Sequence, residues 1–251
     1  MAGRLYIVST PIGDPEDVTV RALRILREVA FIAAEDPQTT RPFLEHHGIE
    51  NTLTSYQQLN KETQTAVFLE RLRQGQDIAL VCDGGTPLIK DPGGHLVSSV
   101  ITSGFEVRPV PGPSALLAGL VASGLPTGRV VFLESLPHPD DPAWPHLRRA
   151  AKSFDSLVTF VERRRLVPTL RLLRQRLGNR PAILALNATR PDERFLRDDL
   201  SGLLRQRMRH SRDVDITLVV GLAGIAEHST RRATHQANRP SRRTNARRRP
   251  A

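Results

Sequence analysis

The sequence predicts an α/β protein made of two α/β domains, and three observations predict it. Short apolar runs alternate with amphipathic stretches of helical spacing along the body of the chain. Ile78-Ala79-Leu80-Val81 is apolar at every position, as in a strand buried on both faces of a parallel sheet. Gly124-Leu125-Pro126-Thr127-Gly128 interrupts the alternation, which then starts afresh. Residues 1–127 therefore read as one domain, 128–228 as a second and 229–251 as a basic tail.

Each element follows from local pattern. Leu5-Tyr6-Ile7-Val8 reads as a buried strand that runs into the turn Thr10-Pro11-Ile12-Gly13-Asp14-Pro15. Residues 16–29 set Val18, Ala22, Ile25, Leu26 and Val29 at helical spacing, with Arg21, Arg24 and Arg27 opposite. Phe31-Ile32-Ala33-Ala34 is a second strand ending at Glu35-Asp36. A helix over 39–47 stops at Gly48, since glycine tolerates the left-handed turn that closes helices. A strand over 52–56 and a helix over 61–74, closed by Gly75, lead to strand 78–81. Helix 93–103, strand 106–110 and helix 113–123 follow, the last with Ser114 placed to cap it. The second half gives strand 130–134, an irregular proline-rich segment over 137–145, strand 156–161 and helix 166–177 ending at Gly178. Strand 181–186, helix 199–209 and strand 214–220 complete it.

Composition excludes several classes. Of 251 residues, 39% are hydrophobic and 25% charged, a globular balance rather than that of a disordered chain. No apolar run approaches the roughly 20 residues that span a bilayer, and the N-terminus lacks the apolar core of about 7–15 residues of a signal peptide. The single cysteine, Cys82, has no internal disulfide partner, so a reduced, cytoplasmic protein is expected. The net charge is +10, yet eight of the 36 basic residues are arginines at or beyond Arg231. Removing those eight leaves 28 basic against 26 acidic residues in a nearly neutral body. The tail has too little apolar surface to offset its chain entropy, so disorder is expected. Its charge suits RNA phosphates, the alternative being a solvated tail without a partner.

The chemistry concentrates after strand 78–81, in Cys82-Asp83-Gly84-Gly85-Thr86-Pro87 and Asp91-Pro92-Gly93-Gly94. Four glycines and two prolines between 84 and 94 give a tight backbone at a strand end, where open α/β sheets bind ligands. Thr10-Pro11-Ile12-Gly13 and Pro111-Gly112-Pro113-Ser114-Ala115 follow two other strands, so three such loops can converge on one cleft. Neither a phosphate-binding Gly-x-x-x-x-Gly-Lys-Ser/Thr loop nor a Gly-x-Gly-x-x-Gly fingerprint is present, which disfavours nucleoside triphosphates and dinucleotides. The histidines are scattered, His46-His47 included, and no metal site is expected. Cys82 reads as a small buried thiol rather than a nucleophile.

These loops, with Ala34-Glu35-Asp36 and Ser123-Gly124-Leu125-Pro126, resemble over residues 4–220 the tetrapyrrole-methylase superfamily, and most closely its ribosomal branch. The resemblance implies two α/β domains with a donor-binding cleft between them, a homodimer, and S-adenosylmethionine as methyl donor. It implies as acceptor the ribose 2′-hydroxyl of a cytidine in 16S rRNA, met as RNA or in the small ribosomal subunit. It places the donor against Pro11, Asp83, Gly84, Gly85, Thr86, Ser114 and Leu133. Methyl transfer to a hydroxyl needs a proton acceptor, for which Glu35 and Asp36 are the candidates, a helix cap being their other reading. The chain departs from the family pattern at Asp14, at Asp36-Pro37-Gln38, at Gln57-Gln58-Leu59-Asn60, at Glu162-Arg163-Arg164-Arg165 and at Leu186-Asn187-Ala188-Thr189-Arg190. Donor-side residues thus match better than acceptor-side ones. A tetrapyrrole methylase, or a non-catalytic member that binds donor or RNA, are the other readings.

Overall fold

A computed structural model describes residues 2–206 and 214–222. Among them, two five-stranded sheets form. The first joins β1 (Arg4–Val8), β2 (Phe31–Ala34), β3 (Leu53–Ser55), β4 (Ile78–Val81) and β5 (Glu106–Val110) in the order β3-β2-β4-β1-β5. Every pairing in it is parallel, so each strand needs a crossover. The crossover helices are α1 (Val20–Glu28), α2 (Pro37–His46), α3 (Lys61–Arg73) and α4 (Gly94–Thr102). Leu26 of α1 and Leu44 of α2 pack on one face with Ile32 and Val81. Phe68 of α3 and Leu96 of α4 pack on the other with Leu5 and Leu80. β4, covered on both sides, is buried at all four positions, as its unbroken apolar run predicts.

α1 begins later than its periodicity suggests. Asp14 accepts from the N–H of Glu16 (2.9 Å) and holds a turn, and Thr19 caps the helix by accepting from the N–H of Ala22 (3.1 Å). Val18 still packs on the core, but from the turn.

The second sheet joins β6 (Val130–Leu133), β7 (Ser156–Phe160), β8 (Pro181–Leu186), β9 (Arg194–Asp199) and β10 (Ile216–Gly221) in the order β6-β7-β10-β8-β9. Only β6 and β7 pair in parallel; the other three pairings are antiparallel. Helices α6 (Trp144–Ala150), α7 (Leu166–Leu177) and α8 (Leu200–Arg205) cover one face through Trp144, Leu170, Leu173 and Leu203. Two elements here were not expected. β9, Arg-Phe-Leu-Arg-Asp-Asp, is an edge strand with largely exposed side chains, so it carries little apolar signal. α6 begins inside the segment expected to be irregular, because Pro145 sits in its first turn, where a missing N–H costs no helix bond. The expected helix over 199–209 is the six-residue α8, capped by Asp199 through the N–H of Gly202 (2.7 Å). Residues 207–213 and the basic tail lie outside the described residues.

Helix α5 (Ala115–Val121) follows β5 in the chain but packs on the free face of the second sheet, with Leu120 against Val158, Ile183 and Val219. Gly119 makes this possible: a Cβ there would stand 2.6 Å from Thr217 Cγ2. The Thr217 hydroxyl also donates to the carbonyl of Ala115 (3.3 Å). The chain therefore passes between the sheets at 111–114, ahead of α5, rather than at the expected 124–128.

Candidate active site

Since all strands of the first sheet run one way, the segments after β1, β2, β4 and β5 emerge at a single edge. Backbone bonds lock them together. Thr10 and Gly85 exchange both N–H···O bonds (2.9 and 3.0 Å), a bridge between two loops for which Gly85 takes φ +90°. The Thr86 hydroxyl contacts that of Ser9 (3.0 Å) and donates to the carbonyl of Pro113 (3.1 Å), tying in the loop after β5. The Asp83 carboxylate accepts from the N–H of Asp36 (3.0 Å), tying in the end of β2. Asp91 accepts from the N–H groups of Leu88 and Gly93 and so holds the remainder of the loop, in which Leu88 and Lys90 both have φ +72°.

A cleft of ≈ 670 Å³ separates these loops from the second sheet. Glu35, residues 83–86 and Ser114 form its near side. Residues 160–163 at the end of β7, Ala188 and Arg190 after β8, and residues 214–217 leading into β10 form its far side. The halves touch beside it, where a Cβ on Gly13 would stand 2.7 Å from the carbonyl oxygen of Ala188, and the N–H of Asp14 donates to the Thr189 hydroxyl (3.0 Å). A smaller cavity of ≈ 330 Å³ lies between the loop after β1 and α2.

Acidic groups gather on the near side. Burial raises the Glu35 carboxyl above the ordinary carboxylate range, and the charges of Asp83 and Asp91 raise it further. Burial likewise raises Asp83 and Asp91, the latter helped by Glu134. Burial pushes the Cys82 thiol up to about 12, which favours its protonated form. Among the described residues no cluster of histidine, cysteine and carboxylates has the arrangement of a metal site.

The structure thus brings Glu35, Asp83, Gly84, Gly85, Thr86 and Ser114 to the larger cleft, and Pro11 with Asp83 to the smaller cavity. Asp36 lines neither. Its carboxylate caps α2, accepting from the N–H of Gln38 (2.8 Å) and the hydroxyl of Thr39 (3.3 Å). Leu133 also lines neither and packs on the core around Trp144, although its neighbour Glu134 acts on Asp91. Ser114 occupies the cap position of α5 but makes no capping bond with its side chain. Sequence reasoning missed the inner side of α2 (Thr39, Thr40 and Phe43), because only the fold turns it towards the loop after β1. It named Arg190 only as a departure from the family pattern, and a turn with φ +49° at Asn187 and +66° at Thr189 carries that residue to both cavities.

Comparison with known proteins adds to this geometry. The family model of tetrapyrrole (corrin/porphyrin) methylases matches residues 4–204. Ribosomal RNA small subunit methyltransferase I of Micromonospora olivasterospora is 38% identical over 226 residues, 90% of this chain and 72% of that protein. The protein of the same name from Thermotoga maritima is 35% identical over 87% of this chain and 98% of its own length. Among solved structures, uroporphyrin-III C-methyl transferase from Thermus thermophilus complexed with S-adenyl homocysteine superposes with a TM-score of 0.61. It is 24% identical and covers 87% of this chain and 97% of its own.

Proposed function

The chain belongs to the tetrapyrrole (corrin/porphyrin) methylase family, and from that premise we propose that it transfers a methyl group from S-adenosylmethionine to the ribose 2′-hydroxyl of a cytidine in 16S rRNA. What supports this reading is the locked 83–86 loop, which lines a cleft of ≈ 670 Å³. The named relatives that act on small-subunit ribosomal RNA support the choice of acceptor.

The residues present fit the donor. Gly85 has φ +90°, and a Cβ there would stand 3.3 Å from Ile12 Cγ2, so glycine is what lets the loop keep this shape beside the cleft. Glu35, Asp83 and Asp91 give the near side a negative field that matches the positive charge of a sulfonium and an α-ammonium. Bound there, S-adenosylmethionine supplies an electrophilic methyl group. Residues 83–86 and Ser114 hold and orient it. Glu35 accepts the proton of the acceptor hydroxyl, and its raised pKa brings its proton affinity closer to neutral pH. Asp36, engaged as a cap, positions α2 instead. Arg163 and Arg190 on the far side, together with the arginines beyond residue 230, meet RNA phosphates.

We place this activity in a homodimer in the cytoplasm; among the described residues no helix is long and apolar enough to cross a membrane. The test is transfer of a tritiated methyl group from the donor to RNA of cells lacking this gene, with methylated riboses mapped. Label at one cytidine of the small-subunit RNA is the expected result. Label on a tetrapyrrole alone, or donor binding without transfer to either, overturns it.

A further inference from the structure

We propose that Lys90, in the loop after β4, and Arg163, after β7, close from opposite sides of the cleft on one phosphate of the acceptor strand, and that Glu162 holds the place of that phosphate until RNA arrives. This rests on the reading of the protein as an RNA ribose methyltransferase. In a nucleotide the carbon that bears the 2′-hydroxyl is bonded to the carbon whose oxygen carries the 3′-phosphate. A 2′-hydroxyl brought into the cleft therefore brings that phosphate with it. The carboxylates of the near side, Glu35, Asp83 and Asp91, repel a phosphate, so it needs cations beside it. Three basic residues, Lys90, Arg163 and Arg190, line the cleft. Arg190 is bonded to Asp215 (2.6 Å), whereas Lys90 and Arg163 have no bonded carboxylate among the described residues.

The charge of Lys90 reaches the far side. Arg164, whose Nε donates to the Glu162 carboxylate (2.6 Å), does most to hold that carboxyl below the ordinary range, and Lys90 and then Arg165 add to it. Cations of both halves thus already share one anion at this place. A phosphate diester carries the same single charge and two acceptor oxygens, so it can take over these partners. The loop after β4 is shaped for this reach. Leu88 and Lys90 both have φ +72°, a conformation that side chains other than asparagine and aspartate rarely adopt. The Asp91 carboxylate imposes it by accepting from the N–H groups of Leu88 and Gly93. Backbone strain of this kind gathers at ligand clamps, and a lysine kept where asparagine or glycine would sit at ease points to a use for its charge.

Substitutions in the full-length protein test this, with small-subunit RNA from cells lacking the gene, filter binding across a salt series, and donor affinity by calorimetry. Lys90→Asn removes the charge and introduces a residue that tolerates positive φ. It should weaken RNA binding about tenfold at low salt and reduce the log–log salt slope by about 0.7, without lowering Tm or donor affinity. Lys90→Arg should keep most of the RNA affinity, and Arg163→Gln should lose as much as Lys90→Asn. Glu162→Gln should tighten RNA binding about threefold. That gain should shrink when Lys90→Asn is added, as for two groups that act on each other. RNA affinity and salt slope unchanged in Lys90→Asn overturn the site and leave the methyltransferase reading standing. Equal gains from Glu162→Gln in both backgrounds overturn the exchange of carboxylate for phosphate. Lost donor affinity in Lys90→Asn also overturns the site, since the lysine would then serve the donor's carboxylate. No labelling of RNA by the intact protein overturns the reading, and the site with it.

Discussion

In the first sheet all strands run parallel, so β1, β2, β4 and β5 deliver their C-terminal ends to the cleft together. In the second sheet antiparallel pairing brings the ends of β7 and β8 to the cleft alongside the beginning of β10. The contributions differ in kind. The parallel half supplies strand-to-helix loops bonded to one another through their backbones, as at Thr10–Gly85. The mixed half supplies side chains: Phe160, Arg163, Arg190 and Thr217. A backbone site is insensitive to most side-chain changes and suits one constant ligand. A side-chain wall can be altered residue by residue and suits a ligand that varies. Of the departures from the family pattern, Glu162, Arg163, Ala188 and Arg190 fall on that wall, whereas those at Asp14, 36–38 and 57–60 fall on the parallel half.

The strongest way to break the comparison is at Gly85. Gly85→Val places a branched side chain at φ +90° against Ile12, and calorimetry should then detect no donor binding by a protein that still melts cooperatively. Unchanged donor affinity would remove the donor from this loop. Next is Glu35→Gln, which should lower kcat by about 10²–10⁴ and weaken donor binding by less, since Asp83 and Asp91 remain on the near side. The acid limb of the pH profile, set above the ordinary carboxylate range by the raised pKa, should vanish with it. Stability should move the other way. A carboxyl whose pKa is raised by folding binds its proton more tightly in the native state, so it costs stability as pH rises through that raised value. Glu35→Gln should therefore raise Tm at neutral pH and leave it nearly unchanged in acid. A kcat within about threefold of the parent would assign the proton elsewhere.

Smaller effects sharpen the contrast. Deleting residues 231–251 should flatten the salt dependence of RNA binding, with donor affinity intact. The log–log slope should fall by about 0.7 for each single-strand phosphate that the tail had neutralised. Replacing Arg163, Arg164 and Arg165 with glutamine tests the folded rim by the same titration. An unchanged slope in the truncated protein would transfer the electrostatic role wholly to that rim. The smallest change belongs to Asp36→Ala. Losing the cap of α2 should lower stability by about 1 kcal/mol in a denaturant titration, while kcat falls far less than in Glu35→Gln. Two adjacent carboxylates would then be separated into one that meets the substrate and one that holds a helix.

The parallel half was the more legible in sequence for a physical reason. Its inner strands β2 and β4 are buried at every position and read as unbroken apolar runs, and the loop after β4 carries glycine and proline where the chain turns beside the cleft. The mixed half hides its elements. β9 pairs with β8 along its length, with Arg194, Arg197 and Asp198 exposed and Leu196 packed on the core, so little in its composition marks a strand. α6 opens with a proline that also suits a loop. Glu35 and residues 83–86 could be singled out because they sit at strand ends. Thr40 and Phe43 could not, since their sequence shows only helix and the fold decides which side meets the cavity.

The attachment of α5 to the second sheet bears on how the cleft can gape. Leu120 and Gly119 fasten α5 to β10 and its neighbours, while the segment just before it, at Pro113, accepts the bond from Thr86. If the halves swing apart, α5 travels with the far one, and the flexing point falls at 111–114, inside the ligand's own enclosure. On the proposed reading, loosening the jaws and loosening the grip on the spent donor would become one motion, with the Thr86 hydroxyl as its latch.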